Sequence, residues 1–309
     1  MEKGIPSKQD SPWIGYWRLM RPMEWSKSAG NMLIAGVIAA YAFGGSFASL
    51  EFVFGLVSVV LLWSGLYTLN DVMDWQEDAQ HAVKKKRPIP SGLIQPNSAL
   101  MFSYLLLFFS LGLTLFLQNN LFFLCLLAMF INQLLYTSDP FSFKKRPVLD
   151  LLSGSVINPV FRFYAGWVLL VPAFNAPLFA LVFVVGLQIG GYGLYRLMSV
   201  EHEKKLGYTS SIVRLNGTTL KWFFYSAIGI GGLAYFAMCL NSTFFPQLAV
   251  FGSLPLKYVW LAIASMALFP LYWHPMKSPD KASMEKTYRI LYVHDLLFIA
   301  CFLALYFFF

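Results

Sequence analysis

Four acidic residues and four successive basic residues stand close together in a chain in which only 12% of residues are charged. The acids are Asp71, Asp74, Glu77 and Asp78, and the bases follow at 84–87. On a helix, Asp71, Asp74 and Asp78 are spaced i, i+3 and i+7, so their carboxylates line one face. Hard oxygen ligands of this kind suit Mg²⁺, which proteins hold with one or two carboxylates and with phosphate oxygens. The stretch predicts a site for a metal-bridged phosphate or diphosphate; a solvated loop between membrane helices is the alternative.

Composition places these residues in a membrane protein. The chain has 309 residues, 58% of them hydrophobic, and a mean hydropathy of +0.59, outside the range of soluble domains. Apolar stretches long enough to span a bilayer predict an all-α bundle of nine transmembrane helices in a single domain, residues 1–309. They run approximately over 28–47, 51–70, 98–118, 120–137, 148–171, 174–198, 219–241, 255–274 and 288–309.

The placement of charge predicts the topology. Lysine and arginine fall almost wholly in loops on one side of the predicted spans, and Lys257 is the exception. By the positive-inside rule the N-terminus and the charged loops are cytoplasmic, in the inner (plasma) membrane of the cell. The topology thereby accounts for the net charge of +8, so this charge does not indicate nucleic-acid binding. Residues 1–27 form an amphipathic cytoplasmic segment, in which Lys27 either anchors the interface or contacts an anionic lipid headgroup.

Three further stretches bear on a phosphate site at the same face. Residues 144–146 form a second basic loop, although topology alone also places cations there. In the fifth predicted span, Arg162 stands one helical turn after Asn158, and it either reaches a substrate phosphate or pairs with a buried carboxylate. After the sixth span, Glu201 and Glu203 diverge by about 200° on a helix, so only one of them can face the first acidic cluster.

The sequence lacks the patterns of several other enzyme classes. It contains no Cys-x-x-Cys pair, P-loop, glycine-rich dinucleotide turn or nucleophile elbow. A transporter is an alternative because transporters also bury charge. A transporter would more often carry that charge near the bilayer midplane, whereas most charge in this chain lies at one mouth.

These motifs together resemble the UbiA-type intramembrane prenyltransferase superfamily. Asn70 through Asp78 match its N-D-x-x-D-x-x-x-D motif, and Lys84 through Gly92 are similar to the K-x-x-R-P…G segment that follows it. Tyr136 to Asp150 resembles the family's Y-x-x-x-P…K-x-R-P…D loop. The likeness extends over most of the chain, and the nine-helix layout of the family agrees with the predicted spans.

The resemblance implies a site and a mechanism. The implied Mg²⁺ ligands are Asp71, Asp74 and Asp78, with Glu203 opposite. Candidate catalytic residues are Lys84, Arg87, Lys144, Arg146 and Arg162, and candidate substrate-binding residues are Asn70, Lys27, Tyr136 and Asp150. The metal would bridge a polyprenyl diphosphate, and the cations would neutralise the departing diphosphate. A hydrophobic acceptor, aromatic or lipid, would then attack the allylic cation in an aromatic-lined tunnel, with no nucleophilic side chain and no obligate protein partner.

One motif departs from the family pattern. Where the family has a second D-x-x-x-D motif, this chain has Ser199 and Glu203. Residues 21–27 and 161–166 resemble one branch, the polyprenyl-phosphate phosphoribosyltransferases, which attach a sugar phosphate to a lipid phosphate. Prenyl transfer is the main hypothesis. Phosphoribosyl transfer is the second, and non-catalytic lipid binding or transport is the third.

Overall fold

The computed structural model describes the backbone of residues 11–81, 84–197, 199–268 and 281–309, with all side chains except those of 195 and 281–288. These ranges contain helices and no β-strand, and the predicted all-α fold is confirmed. Residues 1–10 of the predicted N-terminal segment and 269–274 of the predicted eighth span lie outside the described ranges. The helices are α1 Pro12–Leu19, α2 Trp25–Phe43, α3 Leu50–Ala79, α4 Pro96–Leu117, α5 Asn120–Thr137, α6 Leu149–Leu152, α7 Asn158–Trp167, α8 Leu178–Leu197, α9 Val200–Lys205, α10 Ser211–Arg214, α11 Gly217–Asn241, α12 Val259–Ala267 and α13 Lys281–Phe308.

Several of these helices are long and apolar enough to cross a membrane. Within the described ranges, α3, α4, α5, α11 and the Arg289–Phe308 part of α13 meet both requirements. Two apolar helical segments are shorter, Leu178–Leu194 in α8 and Leu256–Ala267 around α12. The polytopic architecture is thereby confirmed, while the number of nine spans stays a prediction.

The helix α3 carries the acidic residues to the edge of the membrane. It begins after Ser49, whose side-chain oxygen accepts a hydrogen bond from the backbone N–H of Phe52 (3.2 Å). Its 30 residues span about 45 Å at 1.5 Å per residue, more than the roughly 30 Å of a hydrocarbon core. One end of α3 must therefore leave the hydrocarbon core, and the charged end from Asn70 onward is the one that water can solvate.

The predicted fifth span, 148–171, is not a continuous α-helix. Between α6 and α7 the chain makes a π-helical turn at Ser153–Ile157, a feature frequent at functional sites. The side-chain amide of Asn132 on α5 donates to the carbonyl of Ser153 (3.1 Å) and to the side-chain oxygen of Asn158 (2.7 Å). These bonds fix the π-helical turn against α5.

Close helix contacts hold α7 and α8 in the core. Gly166 of α7 packs so tightly on α2 that a β-carbon there would stand 2.4 Å from the carbonyl oxygen of Met32. Gly186 of α8 approaches α11 in the same way, with 2.5 Å to the carbonyl oxygen of Ala227. Small residues at membrane helix interfaces allow such approach. The contact with α2 fixes the position of α7, which borders the site described below.

The short helix α1 is amphipathic. Its Leu19 packs in a small cluster with Ile94, while Trp13 and Trp17 are exposed. This arrangement agrees with the interfacial segment expected from the sequence. The chain leaves α1 through Arg21, which takes a positive φ of 50° and turns toward the charged end of α3.

Candidate active site

A polar cavity opens between α2, α3, α5, α7, α8 and α9. Seven basic and five acidic side chains among the described residues line it, an unusual concentration within a bundle of apolar helices. The basic residues are Arg21, Lys27, Lys84, Arg87, Lys144, Arg162 and Arg196. The acidic residues are Glu24, Asp74, Glu77, Asp78 and Glu203. The excess of positive charge suits an anionic ligand.

One face of α3 lines this cavity with oxygen ligands. Asn70, Asp74 and Asp78 follow each other at i, i+4 and i+8, so they lie along one stripe. The Asn70 amide donates to the Asp74 carboxylate (3.2 Å), and its carbonyl oxygen accepts from the Thr137 hydroxyl (3.0 Å). Asp71 and Asp78 are both 2% exposed, but Asp78 lines the cavity and Asp71 does not. Of the three aspartates expected as one metal-binding set, Asp74 and Asp78 thus line the cavity, and Asp71 lies beside it.

Basic side chains from residue 21 and from residues 84–87 pair with Asp71 and Asp78. Nη1 of Arg87 bridges Asp71 and Asp78, at 2.9 and 2.6 Å. Arg21 also pairs with Asp71, and Lys84 Nζ lies 3.3 Å from Asp78. Asp71 therefore orients the two arginines, while Asp78 shares the cavity wall with Arg87 and Lys84.

Lys144 reaches the same face from the loop before α6. Its buried ammonium group pairs with Asp74. The N–H of Lys145 donates to the carbonyl of Ser142 (2.8 Å), and the carbonyl of Lys145 accepts from the N–H of Thr209 (3.1 Å). Ser142 takes a positive φ of 38°, which is costly for a residue with a side chain. The position of Lys144 thus depends on contacts between two loops.

The second acidic segment is engaged in a buried network. Glu203 accepts hydrogen bonds from Arg196 Nη2 (2.8 Å) and from the Ser210 hydroxyl. The same guanidinium lies 3.5 Å from Asp150, whose carboxylate also accepts from the backbone N–H (3.0 Å) and hydroxyl (2.6 Å) of Ser211. Protein groups already satisfy both carboxylates. Glu203 also lines the cavity, and its expected role as a metal ligand opposite the first motif stays a prediction.

Besides Asp71, two of the expected site residues lie outside the cavity. Arg146 is exposed, and its Nη2 donates to the carbonyl of Pro140 (2.6 Å) at a separate surface groove. Asp150 is completely buried in the network around Arg196 and does not line the cavity. The loop places Lys144 in a 3-10 turn and Arg146 in the extended backbone after it, which separates two cations that the sequence grouped. The structure thus gives Arg146 no contact with the cavity and Asp150 a structural position.

Lys27 and Tyr136 both line the cavity. Lys27 Nζ pairs with Glu24 (2.8 Å) and lies 4.8 Å from the centre of the Tyr292 ring. Burial works against the ionised form of Glu24, but Lys27 together with Tyr292 and Arg21 lowers the pKa of Glu24 to about 2. The hydroxyl of Tyr136 is hydrogen-bonded to that of Tyr192. The roles of Lys27 and Tyr136 in substrate binding stay predictions.

Arg162 lies deeper in the cavity. The carbon at the centre of its guanidinium is 3.7 Å from the centre of the Trp63 ring, and Nη2 lies 3.5 Å from the Tyr67 hydroxyl. On α3, Trp63 and Tyr67 come before the stripe that begins at Asn70. Arg162 is thus separated from the cations at the charged end of α3.

Arg196 is the main site residue that sequence reasoning missed. Its Nη1 lies 3.3 Å from the Tyr136 hydroxyl and 3.2 Å from the Tyr192 hydroxyl. Its place at the end of an apolar stretch was a visible signal, but its partners come from segments distant in sequence. Tyr208 was also missed. It donates to Glu77, and burial together with this bond raises the pKa of Tyr208.

Residues 31–306 match the UbiA prenyltransferase family. A digeranylgeranylglyceryl phosphate synthase from Hyperthermus butylicus is 32% identical over 109 residues, 35% of this chain and 35% of that protein. A decaprenyl-phosphate phosphoribosyltransferase from Mycolicibacterium smegmatis is 30% identical over 216 residues, 65% of this chain and 64% of that protein. The chain thus spans from 35% to 64% of the length of these two relatives.

Solved structures share the fold. A UbiA homolog from Archaeoglobus fulgidus bound to GPP and Mg²⁺ has a TM-score of 0.64 at 20% identity, over 93% of this chain and 99% of that chain. The apo UbiA homolog from Aeropyrum pernix K1 has a TM-score of 0.67 at 13% identity, over 90% of this chain and 96% of that chain. The match over most of the chain confirms the resemblance seen in the motifs. The chain belongs to the UbiA prenyltransferase family of integral membrane transferases.

Proposed function

We propose that this protein catalyses the Mg²⁺-dependent transfer of a polyprenyl group from its diphosphate to an aromatic or lipid acceptor within the membrane. The observation that carries the proposal is the position of Asp74 and Asp78 on one cavity wall, each paired with a basic side chain that a diphosphate can also bind. Lys84 and Lys144 supply those side chains. The family membership supports the same reaction class.

The carboxylates of the cavity suit Mg²⁺, which substrate phosphates help to hold, better than a metal ion that protein side chains hold alone. Among the residues that the structure describes, no three Asp, Glu, His or Cys side chains are grouped closely enough to hold an ion by themselves. Mg²⁺ keeps several waters and is held by one or two carboxylates together with substrate phosphates. Asp74 and Asp78 would hold it in this way. Asp71 does not line the cavity, and Glu203 is held by Arg196 and Ser210 in a buried network, so neither is proposed as a ligand.

The side chains of this chain would bind and orient the diphosphate. When bound, the metal supplies Lewis acidity toward the diphosphate oxygens. Lys84, Arg87 and Lys144 would exchange their carboxylate contacts for contacts with the departing diphosphate, which takes the electron pair of the broken C–O bond. The acceptor oxygen or carbon forms the new bond to the prenyl C1 atom and loses a proton.

Phosphoribosyl transfer to a polyprenyl phosphate is the second candidate. Two aromatic rings of the cavity already lie under guanidinium groups, because Arg162 covers Trp63 at 3.7 Å and Arg21 lies 5.0 Å from the centre of Tyr67. Rings that carry a cation stabilise an allylic cation less well. A reaction in which the metal-bound diphosphate belongs to a sugar, and a lipid phosphate oxygen attacks, does not require that stabilisation. The similar phosphoribosyltransferase from M. smegmatis supports this candidate.

The proposal includes an orientation. The charged end of α3 and the basic loops would face the cytoplasm from the inner (plasma) membrane, in keeping with the positive-inside rule. One transmembrane domain over residues 1–309 would carry the activity without an obligate protein partner.

A product assay on purified protein in detergent with Mg²⁺ tests the proposal. One set of reactions offers labelled polyprenyl diphosphates with aromatic and lipid acceptors, and another offers labelled phosphoribosyl diphosphate with polyprenyl phosphate. Release of diphosphate with a prenylated acceptor supports the first reaction. Passage of the sugar label into the lipid supports the second and overturns the first. Absence of product in both sets would favour a non-catalytic lipid-binding or transport role.

A further inference from the structure

The last helix, α13, contacts the wall of the cavity from behind. None of its described side chains lines the cavity, and its Tyr292 is only 8% exposed. The ring centre of Tyr292 lies 4.8 Å from Lys27 Nζ, and its hydroxyl donates to the carboxylate of Glu24. Lys27 and Glu24 do line the cavity, with side chains 21% and 20% exposed. A buried tyrosine thus contacts both members of an ion pair that faces the cavity.

Helix packing fixes the position of this tyrosine. A β-carbon at Gly30 of α2 would stand 2.4 Å from Cδ1 of Ile299, so the two helices approach closely there. The Ser26 side chain of α2 is hydrogen-bonded to the carboxylate of Asp295. Tyr292, Asp295 and Ile299 are spaced i, i+3 and i+7, so they share the face of α13 that packs on α2. The hydroxyl of Tyr292 is therefore held at Glu24 by contacts on both sides.

Glu24 has more partners than its ion pair requires. It accepts a hydrogen bond from Lys27 (2.8 Å), and both the Tyr292 hydroxyl and the charge of Arg21 stabilise its ionised form. A partly buried carboxylate that loses its only partner is strongly destabilised. Because Tyr292 and Arg21 remain, Glu24 can release Lys27 without becoming unpaired. The Tyr292 hydroxyl thereby lowers the free energy that is needed to free the ammonium group.

We propose that Tyr292 is a positioning residue for Lys27. Its hydroxyl retains Glu24 while Lys27 exchanges that carboxylate for a phosphate group of a substrate in the cavity, and its ring stays beside the ammonium group. The phosphate belongs either to the diphosphate of the donor or to a lipid phosphate. This role rests on the proposed function, because it is exerted on a substrate of the transfer reaction.

Tyr292→Phe isolates the hydroxyl, because it keeps the ring beside Lys27. The KM of the substrate whose phosphate Lys27 meets should rise about three- to tenfold, since one hydrogen bond to a charged group is lost. The kcat should stay within about twofold of the wild type. Separate KM values for polyprenyl diphosphate, phosphoribosyl diphosphate and polyprenyl phosphate identify the source of the phosphate. Tyr306→Phe is the matched control on α13, because its hydroxyl donates to the carbonyl of Gly45 (3.4 Å), and it should leave every KM unchanged.

A double-variant cycle separates positioning from helix packing. Glu24→Gln removes the charge that the Tyr292 hydroxyl holds. In that background, Tyr292→Phe should change the KM by no more than about 1.5-fold, because the two residues act through one contact. Packing of α13 on α2 does not depend on the charge of Glu24. An equal fold-change of the KM in both backgrounds would therefore overturn the positioning role.

Labelling of Lys27 tests the same exchange without turnover. Pyridoxal phosphate carries a phosphate and an aldehyde; the aldehyde forms an imine with a lysine amine and releases water, and borohydride reduces the imine. Peptide mass spectrometry gives the labelled fraction at Lys27 over time. Tyr292→Phe should slow this labelling about three- to tenfold in the full chain in detergent, but not in the Glu24→Gln background. Tyr306→Phe should be labelled at the wild-type rate.

The outcomes separate this role from the proposed function. If the wild type forms no transfer product, the proposed function fails, and the labelling rates alone decide the role of Tyr292. If product forms but Tyr292→Phe changes neither the KM nor the labelling rate, the positioning role is overturned and the proposed function stands. A wild-type protein in which Lys27 is not labelled would also overturn the role, because Lys27 would then not meet a phosphate-bearing ligand.

Discussion

Arg196 and Glu203 form a salt bridge of 2.8 Å inside the bundle, at the place where the second acidic motif of the family stands. Their side chains are 6% and 9% exposed, and Ser210 completes the coordination of the carboxylate. Glu203 thus neutralises a buried arginine in this structure, and it can meet a ligand only if that pair is broken. The consequence is that the metal requirement should depend on the first motif alone.

Glu203→Gln should destabilise the protein and leave its metal requirement unchanged. Loss of one partner of a buried pair costs up to about 3–5 kcal/mol, and Asp150, 3.5 Å from the same guanidinium, offsets part of that cost. We expect a lower melting temperature in detergent and an Mg²⁺ dependence of activity close to that of the wild type. Glu201→Gln is the control, since the side chain of Glu201 is 84% exposed. An increased Mg²⁺ requirement at unchanged stability would instead make Glu203 a metal ligand.

Asp74→Asn should abolish most of the activity while the protein stays folded. The change removes a cavity carboxylate but keeps its shape, and losses of about 100-fold or more in kcat are typical for groups that stabilise charge in a transition state. Asp71→Asn is the comparison. Because Asp71 holds Arg21 and Arg87 without lining the cavity, its loss should lower the melting temperature more. Steady-state kinetics and thermal melting are measured on both; wild-type kcat in Asp74→Asn would contradict the proposed site.

The sequence predicted the acidic stripe, the basic loops and the all-α bundle because each depends on local pattern. Spacing identifies residues that share a helical face, but it does not show which face of the helix borders a cavity. Asp71 and Asp74 are therefore equivalent in the sequence, and only the packing of α3 separates them. The sequence likewise contains Arg162 without showing that its nearest aromatic neighbour is Trp63, 99 positions earlier in the chain.

Long-range partners account for the remaining differences. Glu203 is satisfied by Arg196 of α8, and Asp150 is satisfied by Ser211 at the start of α10, 61 residues away. The π-helical turn at Ser153–Ile157 was also not predicted, because it is only five residues long and is held by the side chain of Asn132 on α5. Such features depend on tertiary contacts, which propensity and periodicity do not report.

Lys144→Met and Arg146→Met should differ sharply in activity. Lys144 is buried against Asp74 at the cavity wall, so its removal takes away a cation aimed at the leaving diphosphate. We expect a loss of about 100-fold in kcat/KM. Arg146 is exposed and bonded to a backbone carbonyl, so its loss should change kcat/KM by no more than about twofold. Equal effects of the two variants would show that Arg146 moves into the site during turnover.

His202 should make the stability of the protein sensitive to mild acid. Burial and the nearby Lys84 lower the pKa of His202 below its usual 6.5, although carboxylates, Asp78 first, act in the opposite direction. The unfolded chain then binds more protons than the folded chain as the pH falls below 6.5, so stability is present above that pH and is lost below it. Melting temperatures between pH 7.5 and 5 should fall less in His202→Gln than in the wild type. Parallel curves for the two proteins would contradict this assignment.

Gly166→Ala should destabilise the bundle. The new β-carbon would stand 2.4 Å from the carbonyl oxygen of Met32, a backbone atom that cannot move away cheaply, so α7 must shift from α2. Overpacking of this kind costs about 1–3 kcal/mol. The matched control is Gly229→Ala on α11, where a β-carbon meets no atom within 4 Å, and where alanine should stabilise the helix by about 0.5–1 kcal/mol. A Gly166→Ala protein that melts like Gly229→Ala would show that α7 is free to move on α2.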